Sequence, residues 1–250
     1  MYYLPFLRAV HELLEPERYL EIGVHNGSSM SQSRCRSVGI DPDFIVSWEL
    51  DCDVALFKTT SDEYFSRPDP LAPTGGKPFD LAFIDGLHLF EFALRDFINT
   101  ERYSSARSVI VFDDVLPRNV DEAARMRHTR AWTGDVYPIM DVFARYRPDL
   151  TVVPVGTMPT GLLLVLGLDP ENTALSDNYE AILAEYRHPD PQPVPPQVLD
   201  RVAVTSPERV LAGTFWRVLA DASPTTPADE LRARLAEELR TSLGAAFASV

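Results

Sequence analysis

Cysteine is nearly absent: Cys35 and Cys52 are the only two in 250 residues. That is too few for a disulfide framework or a thiolate zinc site, so both read as ordinary thiols. Basic residues are also scarce, with 23 Lys and Arg against 37 Asp and Glu and a net charge of −14. A sequence-independent grip on nucleic-acid backbone needs clustered cations, so DNA and RNA are not the expected partners. No apolar run approaches the length of a membrane span, and Tyr2-Tyr3-Leu4-Pro5 opens the chain with neither a basic nor a long apolar leader region. The expectation is a soluble, cytoplasmic protein without membrane contact. No internal repeat is found. What the chain does have is a hydrophobic fraction of 45%, enough for one main domain with appendages.

The most informative segments are two apolar runs that end in acid, Phe79-Asp80-Leu81-Ala82-Phe83-Ile84-Asp85 and Ser108-Val109-Ile110-Val111-Phe112-Asp113-Asp114. Short runs with β-branched and aromatic residues suit strands buried on both faces of a parallel sheet. Open α/β sheets bind ligands at the carboxyl ends of such strands. Acids on neighbouring strand ends repel one another unless protonated or joined by a cation, which points to a hard metal ion.

Leu7, Val10, Leu13 and Leu14 recur at helical spacing before Pro16, so the chain opens with an amphipathic helix. Strands are expected over 18–22, 37–41, 54–58, 79–85, 108–113, 151–155 and 162–167, with helices over 89–100 and 136–146 among the connections. Strands alternating with helices imply a doubly wound α/β sheet. The connection through Thr157-Met158-Pro159-Thr160-Gly161 is too short for a crossover helix, so the last two strands pair antiparallel. Composition changes after about Asp169. We divide the chain into a main domain over 1–168, an extension over 169–222 and a tail over 223–250. Within the extension, clustered prolines at 189–196 read as an extended linker. In the tail, Ser223-Pro224-Thr225-Thr226-Pro227 reads as mobile. The stripe of Leu231, Leu235, Leu239 and Leu243 fits either a partner subunit in a homo-oligomer or packing on the helix's own domain.

After the first strand comes Glu21-Ile22-Gly23-Val24-His25-Asn26-Gly27-Ser28-Ser29, a glycine turn leading into a short helix. His25 replaces the second glycine of the dinucleotide fingerprint, and its side chain would obstruct a pyrophosphate, so NAD and FAD are disfavoured. An acid before Gly23-x-x-x-Gly27 better suits a zwitterion, with its carboxylate near turn amides and its ammonium near Glu21. Asp41, at the end of the second strand, can accept hydrogen bonds from both hydroxyls of a ribose, or cap a turn. Ser61 and Asp62 follow the third strand, placed to flank an adenine or to cap a helix.

Taken together, Glu21-x-Gly23-x-x-x-Gly27, Gly39-Ile40-Asp41-Pro42, Phe83-Ile84-Asp85-Gly86-x-His88 and Asp113-Asp114 resemble the class I S-adenosylmethionine-dependent methyltransferases. The subgroup most similar is the metal-dependent O-methyltransferases that modify sugars of macrolide and aminocoumarin antibiotics, with catechol and caffeoyl-CoA O-methyltransferases more distant. The resemblance covers residues 1–168. It implies a Rossmann-like sheet of order 3-2-1-4-5-7-6 with strand 7 antiparallel. It also implies S-adenosylmethionine at Glu21, Gly23, Gly27, Ser28, Asp41, Ser61, Asp62 and Asp85, and Mg²⁺ or another divalent cation on Asp85, Asp113 and Asp114. The implied activity is methyl transfer to a hydroxyl of a small hydroxylated acceptor, a sugar or a phenol.

A cation bound to a diol stabilises the developing oxyanion and fixes one oxygen toward the methyl. A base is still required, and His88 is the preferred candidate, where the catechol branch has Lys; Asp85 is the alternative base, and a helix-capping His88 the alternative role. The catechol branch has Asn at the position of Asp114. Residues 118–135 read as an insertion beside the metal, either a lid whose Trp132 stacks on a ring and whose arginines pair with an acidic acceptor, or a solvated helix with Trp132 in the core. A non-haem iron oxygenase is the rival enzyme class, but the His-x-Asp and distant His of its triad are missing. A nucleoside-binding module without turnover is the rival outside catalysis.

Overall fold

A computed structural model describes residues 1–223 and 226–244. Seven strands form one sheet: β1 (Arg18–Ile22), β2 (Arg36–Ile40), β3 (Val54–Phe57), β4 (Leu81–Ile84), β5 (Val109–Phe112), β6 (Thr151–Val155) and β7 (Leu162–Leu166). Their spatial order is β3-β2-β1-β4-β5-β7-β6. Neighbours are parallel except around β7, which runs antiparallel to both β5 and β6. This is the mixed Rossmann-like α/β sheet that the alternating pattern and the resemblance implied. The two acid-ended strands are shorter than expected, closing at Ile84 and Phe112. Asp85 and Asp113 still donate one backbone hydrogen bond each, to Ile22 and Ile84, and beyond them the chain turns away.

The continuous apolar runs of the central strands follow from burial on both faces. Ala82 and Ile84 of β4 join one core cluster, whereas Leu81 and Phe83 join another on the opposite face. The first cluster is covered by α3 (Phe90–Arg102) and α4 (Ile139–Tyr146), through Phe90, Leu94, Phe97, Val142 and Phe143. The second is covered by α1 (Tyr3–Leu14), which buries Phe6, Leu7, Val10 and Leu14. That helix stops where Glu15 turns left-handed at φ 48 before Pro16, whose ring cannot continue it. A short helix, α2 (Ser61–Phe65), follows β3.

The C-terminal part carries helices over Ala174–Asp177, Tyr179–Tyr186, Pro196–Leu199, Pro207–Leu211, Phe215–Ala220 and Ala228–Leu243. Leu231, Leu235, Leu239 and Leu243 are all buried, and the last three share the second core cluster with α1, Phe215 and Trp216. Of the two readings of the leucine stripe, the structure thus shows the packing of the helix on its own chain. The proline-rich segment bends at Asp190 and Pro191, enters a short helix at Pro196 and is docked on the domain: Val194 packs with Ala123 and Tyr137, and Asp190 accepts the backbone N–H of Arg125 at 3.0 Å. Within the expected mobile stretch, Pro224 and Thr225 lie outside the described residues, as do 245–250 of the tail. Among the described residues no helix is long and apolar enough to cross a membrane.

Candidate functional site

The carboxyl ends of β1, β2, β4 and β5 open onto a cleft of about 580 Å³, a size suited to a small-molecule site. Gly23 brings two of its walls together. It sits at φ 93, and a Cβ there would lie 1.8 Å from the carbonyl oxygen of Asp85, so only glycine lets the β1 turn press against the end of β4. His25 follows at φ 48 and donates its backbone N–H to Asp41 Oδ2 at 2.7 Å. Asp41 Oδ1 accepts from the backbone of Asp43, also at 2.7 Å. The two amides fix the carboxylate at the tip of β2, on the cleft wall.

After β3, Thr60 is the helix cap and forms a reciprocal capping box with Glu63. Ser61 and Asp62 are thereby spared the capping role and line the cleft. Ser61 Oγ donates to Asp96 Oδ1 at 2.5 Å, while Asp62 pairs with Arg95 at 2.7 Å. Asp96 comes from α3, and burial pushes its carboxyl up to about 7 despite the hydrogen bond from Ser61.

The acids of β4 and β5 meet through an imidazole. His88 Nε2 lies 3.3 Å from Asp85 Oδ1, and Nδ1 lies 2.8 Å from Asp114 Oδ2. The second approach is a charge contact without hydrogen-bond direction, so Nδ1 is buried without a hydrogen-bond partner. Burial opposes charge on this ring, but the contacts with Asp114 and Asp85 and their negative charge outweigh it and push His88 up to about 10. His88 and Asp114 are both left-handed, at φ 56 and 60. Together with His25 they place three strained non-glycine residues at the ends of β1, β4 and β5, a concentration typical of functional sites.

Asp85, His88 and Asp114 can each offer a ligand atom within 4.8 Å of the others. Asp113 stands beside this group with its Oδ1 accepting the backbone N–H of Asp114 at 2.8 Å. Of the expected ligand set, Asp85 and Asp114 lie in this compact group together with His88, and Asp113 stands at its edge. Burial raises the carboxyls of both Asp85 and Asp113, and the charge of Asp114 raises both further, with Asp85 adding to the rise at Asp113. Crowded carboxylates with an imidazole fit a divalent cation in charge and donor type.

The 118–135 segment covers one side of the cleft and is pinned at its base. Arg125 bridges Glu91 and the fully buried Asp135, and the Trp132 indole N–H donates to the Ala124 carbonyl at 2.6 Å. The Trp132 ring stacks on His88 with centroids 4.9 Å apart and planes 14° from parallel. Gly134, at φ 56, has room for no Cβ, which would lie 1.7 Å from the His88 carbonyl oxygen. Trp132 lines the cleft, so the reading of it as a core residue on a solvated helix is not met.

Of the expected site residues, Gly23, Asp41, Ser61, Asp62, Asp85, His88, Asp113 and Asp114 all line the one cleft. Glu21, Gly27 and Ser28 are not among its walls. Gly27 turns the chain at φ 83 beneath Val46, and Ser28 lies behind the wall near the Tyr3 hydroxyl. Glu21 is fully buried, where it accepts from the Tyr19 and Ser29 hydroxyls at 2.7 and 2.8 Å. Burial pushes its carboxyl up to about 8 against those hydrogen bonds. Missed by the sequence were Tyr3, Phe92, Asp96 and Thr160 on the cleft walls. Burial, then the charges of Asp113 and Asp85, raise the Tyr3 hydroxyl. No local motif marks Tyr3, since its arrival depends on how α1 packs.

Glu21 yields a prediction with a definite sign. The folded chain keeps its proton up to about pH 8, whereas the unfolded chain loses it near the ordinary value of 4.5. Stability from this group therefore falls as pH rises between those values and is level above them. Glu21→Gln is expected to be near neutral at pH 5 and to stabilise the fold at pH 9. Urea melts at the two pH values check this, and a variant less stable than wild type at pH 9 would contradict it.

Residues 20–115, from β1 through β5, match the family model described as a methyltransferase domain. That match bears out the resemblance to methyltransferases over this segment. Similar solved structures include a putative O-methyltransferase from Klebsiella pneumoniae, at 19% identity over 64% of this chain and 77% of that one, with a TM-score of 0.46. Another is the O-methyltransferase TomG from Streptomyces achromogenes, involved in tomaymycin synthesis and solved with SAM, at 22% identity over 64% and 77%, TM-score 0.45. A third is an O-methyltransferase from Bacillus cereus in complex with SAH, at 17% identity over 66% and 79%, TM-score 0.47. No curated protein matches the chain.

Proposed function

We propose that this chain transfers a methyl group from S-adenosylmethionine to a hydroxyl of a small acceptor, a sugar or phenol of natural-product chemistry, with a divalent cation at Asp85, Asp113 and Asp114. The observation that carries the reading is the convergence of these acids and His88, from β4 and β5, in the cleft that also holds Gly23, Asp41, Ser61 and Asp62. Binding a nucleoside alone would not need three crowded carboxylates. The methyltransferase domain match over the same strands supports it. A cytoplasmic location, and a main domain over 1–168 braced by the 169–222 extension, belong to the same reading.

In this reading Asp41 holds the ribose hydroxyls, Ser61 and Asp62 flank the adenine, and the amides of the 23–28 turn face the ligand carboxylate. The acceptor oxygen attacks the methyl carbon, the carbon–sulfur bond breaks with its electron pair going to sulfur, and the acceptor proton leaves to His88 or Asp85. A cation on the acid group supplies charge for the developing oxyanion. The pinned segment with Trp132 keeps water from the reacting atoms. Charge-assisted hydrogen bonds are each worth about 1.5–3 kcal/mol, so Asp41→Ala is expected to weaken S-adenosylmethionine binding by about tenfold or more. Calorimetric titration measures this. Tight binding of NAD in place of S-adenosylmethionine would overturn the reading.

A further inference from the structure

The cleft floor is acidic, yet two cations stand on its rim. Arg127 and Arg130 line the cleft beside Ala131 and Trp132 and form no ion pair among the described residues. Their segment is otherwise paired: Asp121 lies 3.6 Å from His128, Glu122 binds Arg118, and Asp135 binds Arg125. The Asp85 and Asp114 carboxylates are taken by His88. What the two arginines do have is placement. The Arg127 guanidinium donates to the Arg130 carbonyl at 3.2 Å and lies 5.8 Å from the centre of the Trp132 indole, which itself stacks on His88. Because Arg125 and Trp132 anchor the base of the segment, the backbone that carries both arginines is fixed beside the cleft before any ligand arrives. In a chain of net charge −14, unpaired guanidinium groups at the mouth of an acidic cleft attract an anion that the floor alone would repel.

We propose that Arg127 and Arg130 form a clamp for a carboxylate and that the acceptor is an acid, with its carboxylate at the rim and its hydroxyl turned inward to the β4 and β5 acids. This rests on the methyltransferase reading and adds a substrate class to it. Planar guanidinium groups suit carboxylate geometry better than ammonium groups do. Trp132 lines the cleft beside the clamp, with His88 stacked on its ring and Arg127 5.8 Å from its centre.

The test uses the full-length chain with Mg²⁺, first titrated with S-adenosylhomocysteine. Failure at that stage sinks the methyltransferase reading itself. The loaded protein is then titrated with two matched pairs, 3,4-dihydroxybenzoate against 3,4-dihydroxybenzamide and galacturonate against galactose. We expect the acid to bind at least about tenfold more tightly than its neutral partner in one pair or both, an advantage that shrinks as salt rises. Arg127→Gln with Arg130→Gln should erase that advantage, and the two lysine replacements should restore part of it. S-adenosylhomocysteine affinity within about twofold of wild type certifies the fold of each variant. Equal or absent binding in both pairs, or an acid preference that survives the double glutamine variant, overturns the clamp while leaving the methyltransferase reading intact.

Discussion

Asp85→Asn and Asp113→Asn are each expected to lower methyl transfer by about a thousandfold or more, the scale of removing a group that stabilises developing charge. S-adenosylmethionine affinity should change by less than about fivefold, because the close backbone packing of Asp85 on Gly23 and the amide contacts of Asp41 are untouched. Asparagine keeps the volume of the side chain and, at position 113, an oxygen for the Asp114 amide. It removes only the charge. Burial and mutual repulsion already push Asp85 and Asp113 upward, so neutralising either one should leave the melting temperature unchanged or raise it. Loss of turnover with retained or increased stability separates a cation-binding acid from one that braces the fold. Transfer of labelled methyl in the presence and absence of EDTA measures the activity arm, and full activity in chelator or in either variant would remove the metal from the mechanism.

The parts of the fold legible in the sequence were those fixed by local chemistry. Continuous apolar runs marked β4 and β5 because both sheet faces are covered, and the short loop before Leu162 dictated the antiparallel β7. The acids after those strands were legible as a group because strand ends in an open sheet face one rim. Contacts between elements distant in sequence were not. Glu21 reads from the sequence as an acid near a ligand ammonium, and only the contacts of the Tyr19 and Ser29 hydroxyls show how deeply it is buried. Tyr3 reaches the cleft through the packing of α1 and a backbone hydrogen bond to the distant Met158 carbonyl. The inclusion of His88 in the acid group depends on two left-handed residues, His88 and Asp114, and L-residues give no sequence sign of positive φ. The leucine stripe of the last helix was readable as amphipathic, but periodicity does not say which surface it meets.

His88→Gln carries the second large effect, a fall in turnover of about a hundredfold or more, the usual worth of a positioned proton acceptor. The geometry makes this a sharper question than the sequence did. With one nitrogen 3.3 Å from Asp85 and the other 2.8 Å from Asp114, the ring is poised as an imidazolium, and its proton is held up to about pH 10 when those carboxylates have no other cation. A protonated ring cannot accept from a substrate hydroxyl. Asp85 and Asp114 would share their negative charge with a divalent cation held there, and His88, its proton then less firmly held, would be free to act as base. The sign for rate follows: a base works only when unprotonated, so turnover of the wild-type protein should rise with pH along a limb that ends at or below about 10. His88→Gln should lack that limb and run at a low, flat rate, with S-adenosylmethionine affinity nearly unchanged. Pre-steady-state transfer rates between pH 6 and 10 provide the check. A variant that keeps the wild-type profile would reduce His88 to a structural cation between two acids and pass the role of base to Asp85.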